Sequence, residues 1–190
     1  MPDATPDALA AIKADHANFA RALKVLDREV DNFAHGGDPD FELIEMVVDY
    51  LGDYPDLCHH PKEDLVHDRL KVRAPEVAEI MGDLHDEHRR LGELVKKFAK
   101  VVDKVLLDTE MPRQEFTAAA TEFLDFFRSH MLMEELRFLP AAQRELTPED
   151  WEEIDAALAE AADPVLNAED SAPLRRLARE IEEIAAEAAS

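Results

Sequence analysis

Two stretches of the chain carry the same chemical pattern: His59 with Glu63, and His130 with Glu134, each a histidine and a glutamate four residues apart. On a helix that spacing stacks both side chains one turn apart on one face. His16 and His88 add imidazoles, each in a slot of a three-and-four rhythm whose other slots are apolar. A buried carboxylate or imidazole is costly without a partner. A lone histidine in such a slot is usually a core residue satisfied by a neighbour; six polar residues on four helices ask for a shared partner. Imidazoles with carboxylates, and no thiolate in the set, suit Fe, Mn or Zn. Two six-coordinate metals offer roughly twelve positions; two bridging carboxylates fill about four, a bridging oxygen about two, and the histidines about four more. What remains takes a further ligand or stays open to solvent, O2 or NO. An open position beside a redox metal makes a small-molecule site, whereas a closed one is structural.

Four long helices must deliver these groups, and proline and glycine mark their ends. Thr5-Pro6 reads as an N-cap followed by proline at the first helical position. The helix it opens runs to about Phe33, before His35-Gly36-Gly37. Asp38-Pro39 opens a second, reaching about Lys71 with kinks or a break at Pro55 and Pro61. Ala74-Pro75 opens a third, to about Leu107. Met111-Pro112 opens a fourth, to about Phe138 before Pro140. The inward stripes read Leu9, Ile12, His16, Phe19, Leu23, Leu26, Val30, Phe33; Ile44, Val48, Leu51, Pro55, His59, Glu63, Val66, Leu70; Val77, Met81, Leu84, His88, Leu91, Val95, Phe98, Val102, Val105; and Phe116, Ala120, Phe123, Phe127, His130, Glu134. Short loops make neighbouring helices antiparallel. The starts of the first and third then meet the ends of the second and fourth, so all six polar residues converge at one end of the bundle.

Composition agrees. The 190 residues contain 5 glycines and are 46% apolar, which leans all-α with ample core. The expected fold is an antiparallel up-down four-helix bundle over residues 1–140, with an acidic C-terminal helical annex over 141–190 that packs on the bundle or on a partner. Thr147-Pro148-Glu149-Asp150 should start a short helix with Trp151, Ile154 and Leu158 on one face. A loop through Pro164 should lead to a last helix carrying Leu174, Leu177, Ile181 and Ile184. A net charge of -23 argues against nucleic acid or an anionic membrane as partner. The single cysteine, Cys58, allows no internal disulfide and reads as a small buried hydrophobe. With no signal-peptide pattern and no apolar run near the roughly 20 residues of a membrane span, the expected location is the cytoplasm.

These motifs resemble the hemerythrin-like HHE cation-binding domain: Asp15-His16, HHPKED from His59 to Asp64, HDEH from His85 to His88, and HMLMEE from His130 to Glu135. The resemblance spans about residues 7–140. It implies two non-haem iron ions, with His16, His59, His88 and His130 as terminal ligands and Glu63 and Glu134 as bridges. Hemerythrin itself has two ligand histidines four apart on the third helix, whereas His85 and His88 here are three apart. His85 falls one residue off the core stripe, so His60, beside His59 and turned by Pro61, is the better fifth ligand. His67 is expected on a solvated face or behind the ligands, and His35 in a loop. Glu135, Asp64 and Asp15 read either as acceptors for histidine N–H groups or as plain surface charge.

The first functional reading is a di-iron protein that binds O2, NO or a related small ligand for carriage, storage or sensing. The alternatives are a di-iron enzyme of oxidative or nitrosative stress, reducing NO or peroxide or repairing iron centres, and a structural bundle or metal store with Fe, Mn or Zn. A second copy or a protein partner would meet the C-terminal helices.

Overall fold

A computed structural model describes residues 5–107 and 111–165 and the positions Leu177, Arg179, Ile181, Glu183 and Ile184. Every regular element among the described residues is helical. Helix α1 spans Asp7–Ala34, α2 Phe41–Tyr54, α3 His60–Arg73, α4 Pro75–Met81, α5 Leu84–Leu106, α6 Arg113–Met133, α7 Leu139–Glu145 and α8 Pro148–Val165. A wide π-turn over Pro55–His59 joins α2 to α3, and a second over Glu134–Phe138 joins α6 to α7. Helices α1 and α5 each pack against both α2 and α6, closing a helical bundle around one interior.

Several boundaries differ from the sequence reading, each for a local reason. Pro6 is itself the N-cap of α1, one residue later than expected. The side chain that satisfies the first turn comes from α8, where Asp155 accepts from the amides of Asp7 (3.2 Å) and Ala8 (2.8 Å). Asp40, not Asp38, caps α2 by accepting from the Leu43 amide at 2.9 Å. The expected third helix is two: α4 stops at Gly82, whose φ of +85° suits glycine, and Asp83 caps α5 by accepting from the His85 amide. Pro55 and Pro61 do not break their helix; the π-turn between α2 and α3 absorbs them. Nor does Pro140 end the fourth helix; it sits in the first turn of α7, directly after the second π-turn, which makes room for it. Pro164 lies within α8 rather than in a loop. Leu174 lies outside the described residues.

The apolar stripes form two clusters, with a polar stratum between them. The larger gathers Phe19, Leu23, Leu26, Ile44, Leu51, Leu91, Phe98, Phe116, Phe123 and Phe127, and buried Ile181 joins it. The smaller gathers Leu9, Ile12, Val66, Leu70, Leu84, Phe138, Trp151 and Ile154. Along α1, His16 falls between Ile12 of the smaller cluster and Phe19 of the larger; along α5, His88 falls likewise between Leu84 and Leu91. The polar residues are therefore enclosed rather than lodged at an open end of the bundle, because α8 covers the smaller cluster. Asp150 fixes that cover: fully buried, it takes the guanidinium groups of Arg69 (2.5 Å) and Arg73 (2.8 Å) from α3, and the Thr147 amide at 2.8 Å in a capping box.

Candidate metal centre

The stratum is built from helix geometry. Glu63 follows His59, and Glu134 follows His130, by one helical turn, so each pair projects from one face. Glu63 and Glu134 are wholly buried, and His16, His59, His60, His88 and His130 are each at most 8% exposed. The carboxylates lie between two sets of imidazoles. Glu63 turns Oε1 toward His16 Nε2 (3.7 Å) and His59 Nε2 (3.4 Å), and Oε2 toward His88 Nε2 (3.3 Å). Glu134 turns Oε2 toward His16 Nε2 (3.4 Å), and Oε1 toward His88 Nε2 (3.6 Å) and His130 Nε2 (2.9 Å). His60 stacks on His88 with ring centroids 3.7 Å apart.

Two groups result, and in each the potential ligand atoms lie within 4.8 Å of one another: His16, His59, Glu63 and Glu134 in one, and His60, Glu63, His88 and His130 in the other. All seven expected residues, His60 among them, fall in these two groups. His85 stays outside both groups, 54% exposed with Nδ1 3.3 Å from Asp64 Oδ1, although Asp64, His85 and His88 also place ligand atoms within 4.8 Å of one another. His35 is exposed at the C-cap of α1.

These contacts do not satisfy the groups that make them. All four oxygens of Glu63 and Glu134, and Nε2 of His16, His88 and His130, are buried without a hydrogen-bond partner. Each such atom costs about 1–3 kcal/mol, more if charged. Seven of them aimed at one point form a donor set for a cation, and imidazoles with carboxylates are the set that a borderline transition metal takes.

The outward nitrogens tell the same story from behind. His16 Nδ1 faces Glu135 Oε1 at 3.2 Å, His59 Nδ1 faces Asp15 Oδ2 at 3.2 Å, His60 Nδ1 faces Asp56 Oδ1 at 3.0 Å and His130 Nδ1 faces Glu87 Oε2 at 2.8 Å. A carboxylate on Nδ1 fixes the tautomer and leaves Nε2 to donate its lone pair inward. Glu135 and Asp15 thus serve the outward nitrogens of the gathered histidines, whereas Asp64 faces exposed His85. Asp56 and Glu87 were missed, although Asp56 lies one turn before His60. Asp15 also accepts from Tyr54 Oη (3.0 Å) and Lys62 Nζ (2.5 Å), which ties the ligand layer to two further side chains. His67 is 2% exposed, not solvated, and neither of its ring nitrogens has a hydrogen-bond partner. Cys58 is buried.

Charge follows from this geometry. Burial opposes the ionised form of Glu134 and neighbouring Glu63 adds repulsion, but His130, His16 and His88 hold its carboxyl down to about 2. Glu63 is also held well below its usual range against burial, chiefly by His59, with His16 and His88. Burial opposes a proton on His16 and His88, yet Glu134 and Glu63 outweigh it and raise them to about 10 and about 9. His60, which lacks such direct contact with the glutamates, is pushed down by burial. The contacts that raise the imidazoles are the ones that keep the carboxylates ionised, and a cation bound there takes the place of protons on the rings.

Phe19, Leu91, Phe127 and Met131 pack against His59, His60, His130 and Glu134 around a gap too small for a water molecule. A family model described as the hemerythrin HHE cation-binding domain matches residues 7–142. No curated protein and no solved structure matches the chain.

Proposed function

The chain belongs to the hemerythrin HHE cation-binding domain family, and from that premise we propose that the buried stratum holds two iron ions bridged by Glu63 and Glu134 and binds a small diatomic ligand, O2 or NO. The bundle that carries it is read as four antiparallel rods: α1, α2 with α3, α5, and α6 with α7. One subsite is His16 and His59, the other His60, His88 and His130, with both glutamates shared. The observation that carries the reading is the convergence of seven unpartnered buried polar atoms on one point between two sets of imidazoles.

The ligand class follows from the donor count and the walls. The first subsite offers four protein donors and the second five, so a six-coordinate ion is left more open beside His16 and His59. Phe19, Leu91, Phe127 and Met131 wall the side of the stratum that carries His59, His60, His130 and Glu134, and apolar walls favour an uncharged diatomic over an anion or a large polar substrate. Iron, when bound, supplies the electrons for reversible capture of such a ligand. The chain holds Nε2 of each histidine inward, shields the pocket from bulk water and keeps compensating acids on the outward nitrogens. The protein's own outlet for a proton is Asp15, which joins His59 to Tyr54 and Lys62.

The test is metal analysis of the purified chain with absorption spectra of the reduced, iron-loaded protein before and after O2 or NO is added. Two irons per chain and a stable, reversible new band are expected. Rapid turnover without a lasting band would transfer the site to the enzymes, and fewer than two metals per chain would overturn the paired assignment.

A further inference from the structure

One turn beyond Glu63 on α3, a second imidazole cluster lies outside the pocket described above. His67 is 98% enclosed, at 2% exposure, and neither ring nitrogen has a hydrogen-bond partner. Phe138 walls one side, edge-on at 6.0 Å. His85, from the first turn of α5, stands with its ring centroid 6.3 Å away. His67, Asp68 and His85 each place a ligand atom within 4.8 Å of the others. Leaving an imidazole unsatisfied on both edges in the interior is costly, and no protein group among the described residues meets it.

We propose that His67, Asp68 and His85 form a separate mononuclear site for a divalent transition cation, at the solvent edge of the bundle beside the paired subsites. Two imidazoles and one carboxylate are a donor set for Zn2+, Fe2+ or Co2+ and a poor one for Mg2+ or Ca2+, which take oxygen. His67 is the fixed member. Burial, helped by the charge of Lys71, holds its ring neutral, as a ligand must be. His85 is 54% exposed, so the cation has a route in and water has a coordination position. Asp68 already shares Oδ1 with Lys71 Nζ at 3.0 Å, so the cation must compete with an exposed ammonium, and this site is the weaker of those on the chain. Asp64 Oδ1, buried and 3.3 Å from His85 Nδ1, offers His85 a rival set with His88 of the pocket, and Asp68→Asn tells the two sets apart.

The experiment is equilibrium dialysis of the full chain against Co2+ or Zn2+, with salt to screen the acidic surface, followed by metal counting. His85 and Asp68 are exposed, so His85→Asn and Asp68→Asn leave the packing alone. Wild type is expected to hold one equivalent more than either variant, and Glu134→Ala is expected to retain that equivalent while losing those of the pocket. Equal counts in wild type, H85N and D68N would overturn the proposal and leave His67 as a buried imidazole served by water. The two readings fail separately. If the paired site is wrong and this one right, wild type holds one cation and H85N none; if the reverse, both hold two.

Discussion

Because each glutamate turns one oxygen to each set of imidazoles, removing a single glutamate should cost both ions. Glu63 Oε1 faces His16 and His59, and its Oε2 faces His88. Glu63→Leu keeps the volume and removes both bridging oxygens. A ligand that binds only the folded state at one hundred times its dissociation constant stabilises by about 2.7 kcal/mol, so two independent ions give about 5 kcal/mol. In a chain of this size 1 kcal/mol moves the melting temperature by about 3 °C. The loaded wild type should therefore melt about 16 °C above the same protein stripped by a chelator. In E63L that gap should fall close to zero. In His130→Ala, which removes one donor from one subsite, about half should remain. Scanning calorimetry on loaded and stripped samples, with metal counted in each, makes every variant its own reference and cancels the packing cost of the substitution. If E63L keeps half the gap and one tight ion, the glutamate serves a single metal and the bridged pair is wrong.

Other outcomes follow from contacts outside the pocket. Asp56→Asn weakens the acceptor on His60 Nδ1 and should lower metal affinity about 10–100-fold, read by competition with a chelator, with the stripped protein's melting point nearly unchanged. Asp155→Ala removes the cap that α8 lends to α1 and should cost about 1 kcal/mol, seen as a drop of about 3 °C on melting with metal content intact. Asp150 carries a pH signature. Arg73, with Arg69 and Thr147, holds its carboxyl far below the ordinary value despite burial. A depressed carboxyl contributes stability that is fully present above its unfolded value, about 3.9, and is lost as pH falls toward its folded one. The stability difference between wild type and Asp150→Asn should thus be largest near neutrality and shrink below about pH 4 in denaturant titrations; a difference that stays constant down to the acid limit would refute the ion-pair account.

The helices and most of the site were legible because both rest on one-dimensional periodicity. Leu9 to Val30, and Leu84 to Val102, are buried where the three-and-four rhythm puts them, and the same rhythm carried His16 and His88 inward. What escaped depends on contacts between distant parts of the chain. The cap on α1 is an acid some 148 residues away, which no local pattern discloses. Asp56 and Glu87 look like the many other acids of an acidic surface until the histidine each one faces is in place. The burial of His67 needs Phe138, from another rod, to be seen. Gly82 was legible in principle, since an isolated glycine followed by aspartate is a helix stop followed by a cap, but the surrounding apolar spacing masked it.

The two π-turns have a common cause that ties sequence to site. An α-helix advances about 100° per residue, so a step of four overshoots a full turn by about 40°. Buried positions therefore alternate threes with fours. Leu51, Pro55, His59 and Glu63 instead run in three consecutive fours, and so do His130, Glu134, Phe138 and Ala142, all of them buried. Three fours overshoot by about 120°, roughly the rotation of one residue, and a π-turn supplies one extra residue. Both π-turns lie inside these runs. In each, the widened bond is donated by the residue just before a proline: the His60 amide to Pro55 O ahead of Pro61, and the Leu139 amide to Glu134 O ahead of Pro140. Proline clashes with the carbonyl four residues back in a regular helix, and the wider turn relieves that clash. The same extra residue swings His60 into the pocket beside His59, although neighbours on a regular helix point about 100° apart. The fifth imidazole is thus a product of the π-turn, and a chain with a regular turn there would present one histidine or the other, not both.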